Sequence, residues 1–300
     1  MSNAIILNSK NVIGNSNSQF QYNFLNGSFE IKDDSVMSVS QITIPYSWYN
    51  ITSYLANNTI QYTIPITTGQ STAFTITIPN GFYTISTLNT YIQSVLYSNG
   101  HYWISSTTSS NPTIYYPFTF SSNITNYTNQ ISFQPVPVSA NITAFFGTGY
   151  SVGFWSGGSY PITQSTGTII IPSGISSFLG FSQGIYQGIN TTTPLSVSVS
   201  GNSLSATPPT PPLGSTINGL VVRCSLIENN ITIPSDILDS FPINSNFGSN
   251  INYITGFEKW IKVKPGKYSN LIITICDQNN NPINAQDPNV LIVLLIKKNK

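Results

Sequence analysis

Apolar and polar residues alternate along most of this chain. Phe20-Gln21-Tyr22-Asn23-Phe24 has the two-residue period of a half-buried strand, and Phe29-Glu30-Ile31 extends it past a turn at Asn26-Gly27. Residues 36–45 alternate again, and residues 60–66 and 73–78 predict a hairpin around Thr68-Gly69. Further strands are predicted at 114–120, 130–136, 167–171, 195–199, 220–227, 260–263, 268–276 and 290–296. Many short strands punctuated by Gly and Pro predict an all-β sandwich or barrel.

One segment breaks the period. Leu88, Tyr91, Ile92 and Val95 follow helical i, i+3, i+4, i+7 spacing, with Thr84 or Ser86 as N-cap and Asn99-Gly100 as the stop. One helix of roughly three turns is predicted near 86–98. Residues 145–160 read as a long irregular loop. Pro208-Pro209-Thr210-Pro211-Pro212 cannot donate to a sheet. It reads as a stiff connector, with a recognition segment for an aromatic groove as the alternative.

Composition sharpens this picture. Charged residues make up 6% of the 300 positions, where an ordinary soluble domain has about 25%. They are segregated as well. Lys10, Glu30, Lys32, Asp33 and Asp34 open the chain, and the next charge is Arg223. Polar positions in the neutral stretch are filled by Asn, Ser, Thr and Gln, which hydrogen-bond without long-range repulsion and suit a protein packed against copies of itself. An AT-rich coding sequence would also favour Asn and Ile, but it would supply lysine throughout. Disorder is excluded by 40% hydrophobic and 12% aromatic content. A pI near 7.7 excludes a strongly basic nucleic-acid binder. No membrane-spanning segment is expected, because apolar runs such as 290–296 fall far short of about 20 residues. Ile5–Leu7 is too short for the apolar core of a signal peptide.

Candidate chemistry is sparse. His101 is the only histidine, and no carboxylate stands between Asp34 and Glu228 to orient it as a base. Asp33-Asp34, Asp236 and Asp239 are weighed as paired carboxylates for glycoside hydrolysis and read instead as turn residues. Asp277 and Asp287 bracket an Asn-rich turn that lacks calcium-loop spacing. Cys224 and Cys276 lie in apolar strand patterns, which predicts two buried, reduced thiols. A disulfide stays open if the strands are neighbours. Eight Asn-x-Ser/Thr sites are about what chance gives in so Asn- and Thr-rich a chain, so they are no evidence of glycosylation. Lys259, Lys262, Lys264 and Lys267 surround Trp260-Ile261, and Lys297, Lys298 and Lys300 close the chain. They read either as a contact to a nucleic-acid backbone or as solubilising charge on strand ends. No cofactor and no metal site is expected.

Residues 35–51, ending in Pro45-Tyr46-Ser47-Trp48-Tyr49-Asn50-Ile51, and residues 268–282 with 287–292 form two characteristic blocks. With residues 84–89, Phe178-Leu179-Gly180-Phe181 and Phe247-Gly248-Ser249, they resemble the penton (vertex) capsid proteins of virophages and polinton-like viruses. The resemblance implies a single jelly-roll β-sandwich with an insertion containing one short helix. Residues 1–80 would give its N-terminal strands, 81–212 the insertion and outer loops, and 213–300 its C-terminal strands. It implies a structural, non-enzymatic virion protein, assembled inside the host cell. Five copies would meet at each icosahedral vertex and contact the major capsid protein. First and last strands would lie side by side, bringing both charged ends together, with the seven lysines facing the interior in weak contact with the packaged genome. The alternatives are a fibre or minor capsid protein, or a carbohydrate-binding β-sandwich using Trp103, Trp155 and the many tyrosines.

Overall fold

The computed structural model describes residues 2–66, 69–104, 114–125, 128–136, 165–188, 202–205 and 217–298. The predicted strand at 195–199, the loop at 145–160, the proline segment and Lys300 lie outside the described residues. The chain forms two compact units, residues 1–49 with 216–300, and residues 50–215.

The first unit contains eight main strands: β1 Ser2–Asn8, β2 Gln19–Asn23, β3 Ser35–Pro45, β4 Gly219–Cys224, β5 Ile237–Pro242, β6 Asn250–Ile254, β7 Asn270–Asp277 and β8 Leu291–Lys298. One sheet has the order β1-β8-β3-β6, with Ile261–Lys262 also paired to β3. The other has the order β2-β7-β4-β5, with Val12–Ile13 added beyond β2. All pairs are antiparallel. Two sheets in this chain order are a jelly roll, the double Greek key in which first and last strands are neighbours. The core lies between the sheets, where Leu7, Met37, Ile42, Ile44, Ile292 and Leu294 face Phe20, Leu220, Val222, Leu271, Ile273 and Ile275. All of the second unit enters through the β3–β4 connection.

Strand β3 shows how sequence sets this register. Its fully buried apolar residues run Met37, Val39, then Ile42, Ile44, so the inward alternation changes phase at Ser40-Gln41. Across the pair, Val293 faces Gln41 but Leu294 faces Val39, which leaves Ser40 as an extra residue. That is a β-bulge, and it restores the inward face after the phase change. Thr255 covers it. Its backbone N–H donates to the Ser40 carbonyl at 3.2 Å, and its hydroxyl donates to the Val39 and Ser40 carbonyls, each at 3.3 Å.

In the second unit, strands Thr59–Thr63 and Phe74–Thr77 form the expected hairpin. They join Thr168–Ile171 and Gly184–Gln187 in one sheet. Phe118–Asn123, Thr128–Phe133 and Asn202–Ser205 form another. The predicted helix is α1, Ile85–Ser98. Thr84 caps it in a reciprocal box with Thr87, and Asn99 ends it. It buries Ile85, Leu88, Ile92 and Leu96, and Asn89 accepts from the Phe120 N–H at 2.7 Å. A second helix, α2 Ser173–Leu179, ends at Gly180 with φ +78°, the left-handed cap glycine favours. Phe178, Leu179 and Phe181 around that cap are buried in the unit's core.

Cys224 and Cys276 are buried, free thiols on neighbouring strands β4 and β7. Cys224 points inward with Leu220 and Val222, its sulfur 3.9 Å from Met37 Sδ. Cys276 pairs with Val221, so its side chain leaves the opposite face. Their Cβ vectors diverge, and no disulfide can form. Burial pushes the Cys224 thiol up to about 12 and raises Cys276 as well. Both thiols of the native protein should therefore react slowly with a thiol reagent, with a burst on unfolding. Fast native labelling, or an intact mass short by two protons, would contradict this placement.

Candidate functional site

Register places every described candidate lysine at one end of the sandwich. Strands β1 and β8 pair with Ser2 opposite Lys297, so both chain termini lie at this end. The β2–β3, β4–β5 and β6–β7 connections turn there too, since β2 ends opposite the start of β7 and β4 runs antiparallel to both β5 and β7. The β6–β7 connection carries Lys259, Lys262, Lys264 and Lys267. Lys297 and Lys298 end β8. The opposite end holds the exit after β3, the return to β4, and only Lys10, Asp277 and Asp287 among described charges.

The cations are not a uniform patch. Lys267 stands opposite Glu30 in a short pair of strands, Phe29–Ile31 and Gly266–Tyr268. Lys297, Lys298 and Lys262 flank the start of β3, directly after Asp33 and Asp34. Arg223 makes a two-pronged ion pair with Asp236, with Nε–Oδ1 at 3.0 Å and Nη2–Oδ2 at 2.9 Å. Interleaving of this kind lowers the local potential that a polyanion would feel.

Two lysines have structural roles. Asp239 is buried on β5 and accepts from Lys259 Nζ and from the Tyr253 hydroxyl, each at 2.8 Å. Tyr253 stacks on Phe241 at 4.5 Å and 9°. The Asp239 hydrogen bond raises the Lys259 pKa above its usual value, and burial followed by the same carboxylate raises that of Tyr253. Lys297 Nζ sits 3.7 Å above the Trp260 ring, a cation–π contact. Lys262, Lys267 and Lys298 are exposed.

No catalytic constellation gathers among the described residues. His101 is buried in the second unit. Its Nδ1 is 2.7 Å from Tyr62 Oη, and its ring packs edge-on to Phe74 at 4.6 Å. Burial lowers its pKa from 6.5 to about 4. Gly149-Tyr150-Ser151-Val152-Gly153 spells the G-x-S-x-G of a nucleophile elbow. It lies outside the described residues, and the one histidine a serine base would need is occupied in a core. Asp277 accepts from the N–H groups of Asn279 and Asn281 at 2.8 and 2.9 Å, the turn chemistry expected of it. Among the described residues no group of three His, Cys, Asp or Glu is placed to hold a metal, and no helix is long and apolar enough to cross a membrane.

No family model and no curated protein matches the chain. Among solved structures, it is similar to the mavirus penton protein, at 10% identity and a TM-score of 0.46 over 100% of both chains. It is also similar to a chain of the Sputnik virophage, at 13% identity and a TM-score of 0.41 over 98% of this chain and 97% of that one. The strand order, and not these likenesses, defines the class of this protein as a jelly-roll sandwich carrying a large insertion.

Replacing Lys259 by Met leaves the buried Asp239 carboxylate with one partner fewer and should cost about 1–3 kcal/mol in urea denaturation. The exposed Lys262→Met should stay within about 0.5 kcal/mol. Equal costs would refute the distinction between these lysines.

His101 gives a pH signature. The unfolded chain takes up a proton near pH 6.5, the folded one near 4. The neutral form's contribution is therefore complete above pH 6.5 and is lost as pH falls towards 4, on the order of 3 kcal/mol in all. His101→Gln should flatten that part of the stability–pH curve. An unchanged slope would show that other groups set it.

Proposed function

We propose that the chain is a structural virion protein that forms homopentamers at icosahedral vertices and contacts the major capsid protein there. The observation that carries this reading is the segregation of charge on a jelly roll. Residues 35–222 hold no formal charge, and nearly all charges of the sandwich crowd its terminal end. Between close-packed subunits an unpaired charge costs several kcal/mol or more. A neutral stretch of this length supplies side surfaces that can be buried without that cost.

In this reading the terminal end, with Lys259, Lys262, Lys264, Lys267, Lys297, Lys298 and Lys300, faces the particle interior or its base. The interleaved carboxylates limit any attraction to a packaged genome to a weak, salt-screened bias in orientation. The protein would act by packing, with no turnover.

Native mass determination tests the assembly. A fivefold multiple of the 32.7 kDa chain is expected, and a trimer or a persistent monomer overturns the vertex reading. Trypsin treatment of intact particles tests the orientation, because C-terminal lysines removed while the shell stays closed would lie outside.

A further inference from the structure

The terminal end of the sandwich also carries apolar side chains that its charges do not explain. Ile231 and Ile233, in the β4–β5 connection, are 95% and 96% exposed. The tip bearing them is built. The Asn229 N–H donates to the Ser235 carbonyl at 2.6 Å, the Asn229 side chain accepts from the Ile231 N–H at 3.1 Å, and the Thr232 hydroxyl donates to the Pro234 carbonyl at 3.0 Å. These bonds hold the turn while its two largest apolar side chains stay in solvent.

At the same end, beyond β7 on the other side of the sheet, lies a groove of about 210 Å³. Ile5 and Ile296 form one wall, and Tyr22, Phe24 and Phe29 the other, with Leu25 at the rim, 94% exposed. The aromatic wall is preformed, since Phe24 stacks on Phe29 at 5.2 Å and meets Tyr22 edge-on at 5.6 Å. The groove's volume exceeds the about 150 Å³ that accommodates a benzene molecule, so it has room for an isoleucine side chain, with Asn3, Asn26 and Ser28 completing an uncharged lining. No charged residue lines it, although charges are dense around it.

We propose that the Ile231–Ile233 tip of one copy seats in the Ile5–Phe24–Phe29 groove of the next. The match of charge selects this occupant. An uncharged groove in a charged surface penalises a charged or phosphate-bearing ligand, which would find better partners beside it. The tip from Asn230 to Pro234 is uncharged as well. The two features lie at one level but on opposite flanks, so the contact is heterologous, head to tail, and closes into a ring when the rotation per copy permits. This inference rests on the self-assembly proposed above and adds to its neutral side surfaces one specific contact at the terminal end.

The test uses the full chain and two variants at highly exposed positions, so that the fold is left intact: a tip variant, Ile231→Asp with Ile233→Asp, and a groove variant, Leu25→Asp. Sedimentation should show a ring for the unmodified chain and monomers for each variant alone. An equimolar mixture of the two should give a dimer, because one intact tip then meets one intact groove and nothing further can add. Rings that survive either variant overturn the tip-in-groove contact and leave self-assembly standing. A mixture that yields no dimer places the tip or the groove elsewhere. Tip-dependent binding to phosphatidylserine–phosphatidylcholine vesicles with unchanged rings assigns the tip to lipid and refutes the proposal. An unmodified chain that stays monomeric at its highest soluble concentration overturns both readings.

Discussion

The placement of β8 between β1 and β3 is the constraint on which the sandwich depends. It joins the two ends of the chain, with Ile5 opposite Leu294 and Met37 opposite Ile296. Pairings of such long sequence separation must overcome loop-closure entropy before they contribute. Ile292, Leu294 and Ile296 are buried on the inner face, and β3 is buried on both faces from Ser35 to Val39. Once β8 is seated, both termini and three connections share one end. The charge segregation visible in the sequence then becomes a spatial one.

That segregation shapes what the molecule can do. Asp239, the one charged side chain buried among the described residues, is matched by Lys259 and Tyr253. Elsewhere the work of charges is done by amides and hydroxyls. Asn50 both donates to and accepts from the backbone of Tyr83, at 2.7 and 2.8 Å. Asn57 spans the Thr52 N–H and the Asn50 carbonyl, each at 2.8 Å. These bonds fix loops with no net charge and with little salt dependence.

Much of this was legible in the sequence, for physical reasons that differ by element. Strands with strict alternation, such as β2, β4 and β7, read directly, because each has one buried face. The helix α1 read directly because its apolar spacing and its Thr84 cap agree. Strand β1 does not read as a strand because Ala4-Ile5-Ile6-Leu7 is a short unbroken apolar run without alternation, although only Ile5 and Leu7 are buried. Strands β5 and β6 were passed over because Asp239 and the Asn-rich run 250–252 look like turn chemistry. Alternation also could not say which strand pairs with which, so the hairpin Thr59–Thr63 and Phe74–Thr77 gave no sign that its partner is Thr168–Ile171. The lysines were visible as a cluster, but not their interleaving with Glu30, Asp33 and Asp34. That interleaving depends on register across distant strands. His101 carried no sign of burial, since it follows the helix stop Asn99-Gly100 and its partners Tyr62 and Phe74 come from two distant strands.

The β3–β4 connection shows why so large an insertion is tolerated. Loop-closure cost rises only logarithmically with length, so extending a connection to residues 50–215 adds little once the unit inside it has its own core. That core is present, with Ile60, Tyr62, Ile76, Leu88, Ile92, Phe118 and Ile169 all fully buried. The sandwich anchors both sides of the opening independently. On the exit side, Tyr46 packs against Trp48 at 4.5 Å and its N–H donates to the Ser249 carbonyl at 2.9 Å. On the return side, the Asn218 N–H donates to Gln278 Oε1 at 3.2 Å, and the Asn218 carbonyl accepts from the Ile243 N–H at 3.1 Å. The jelly roll therefore does not need the insertion to hold its ends in place. Sequence change within 50–215 can alter what that unit presents while the registers of β1, β3 and β8 stay fixed.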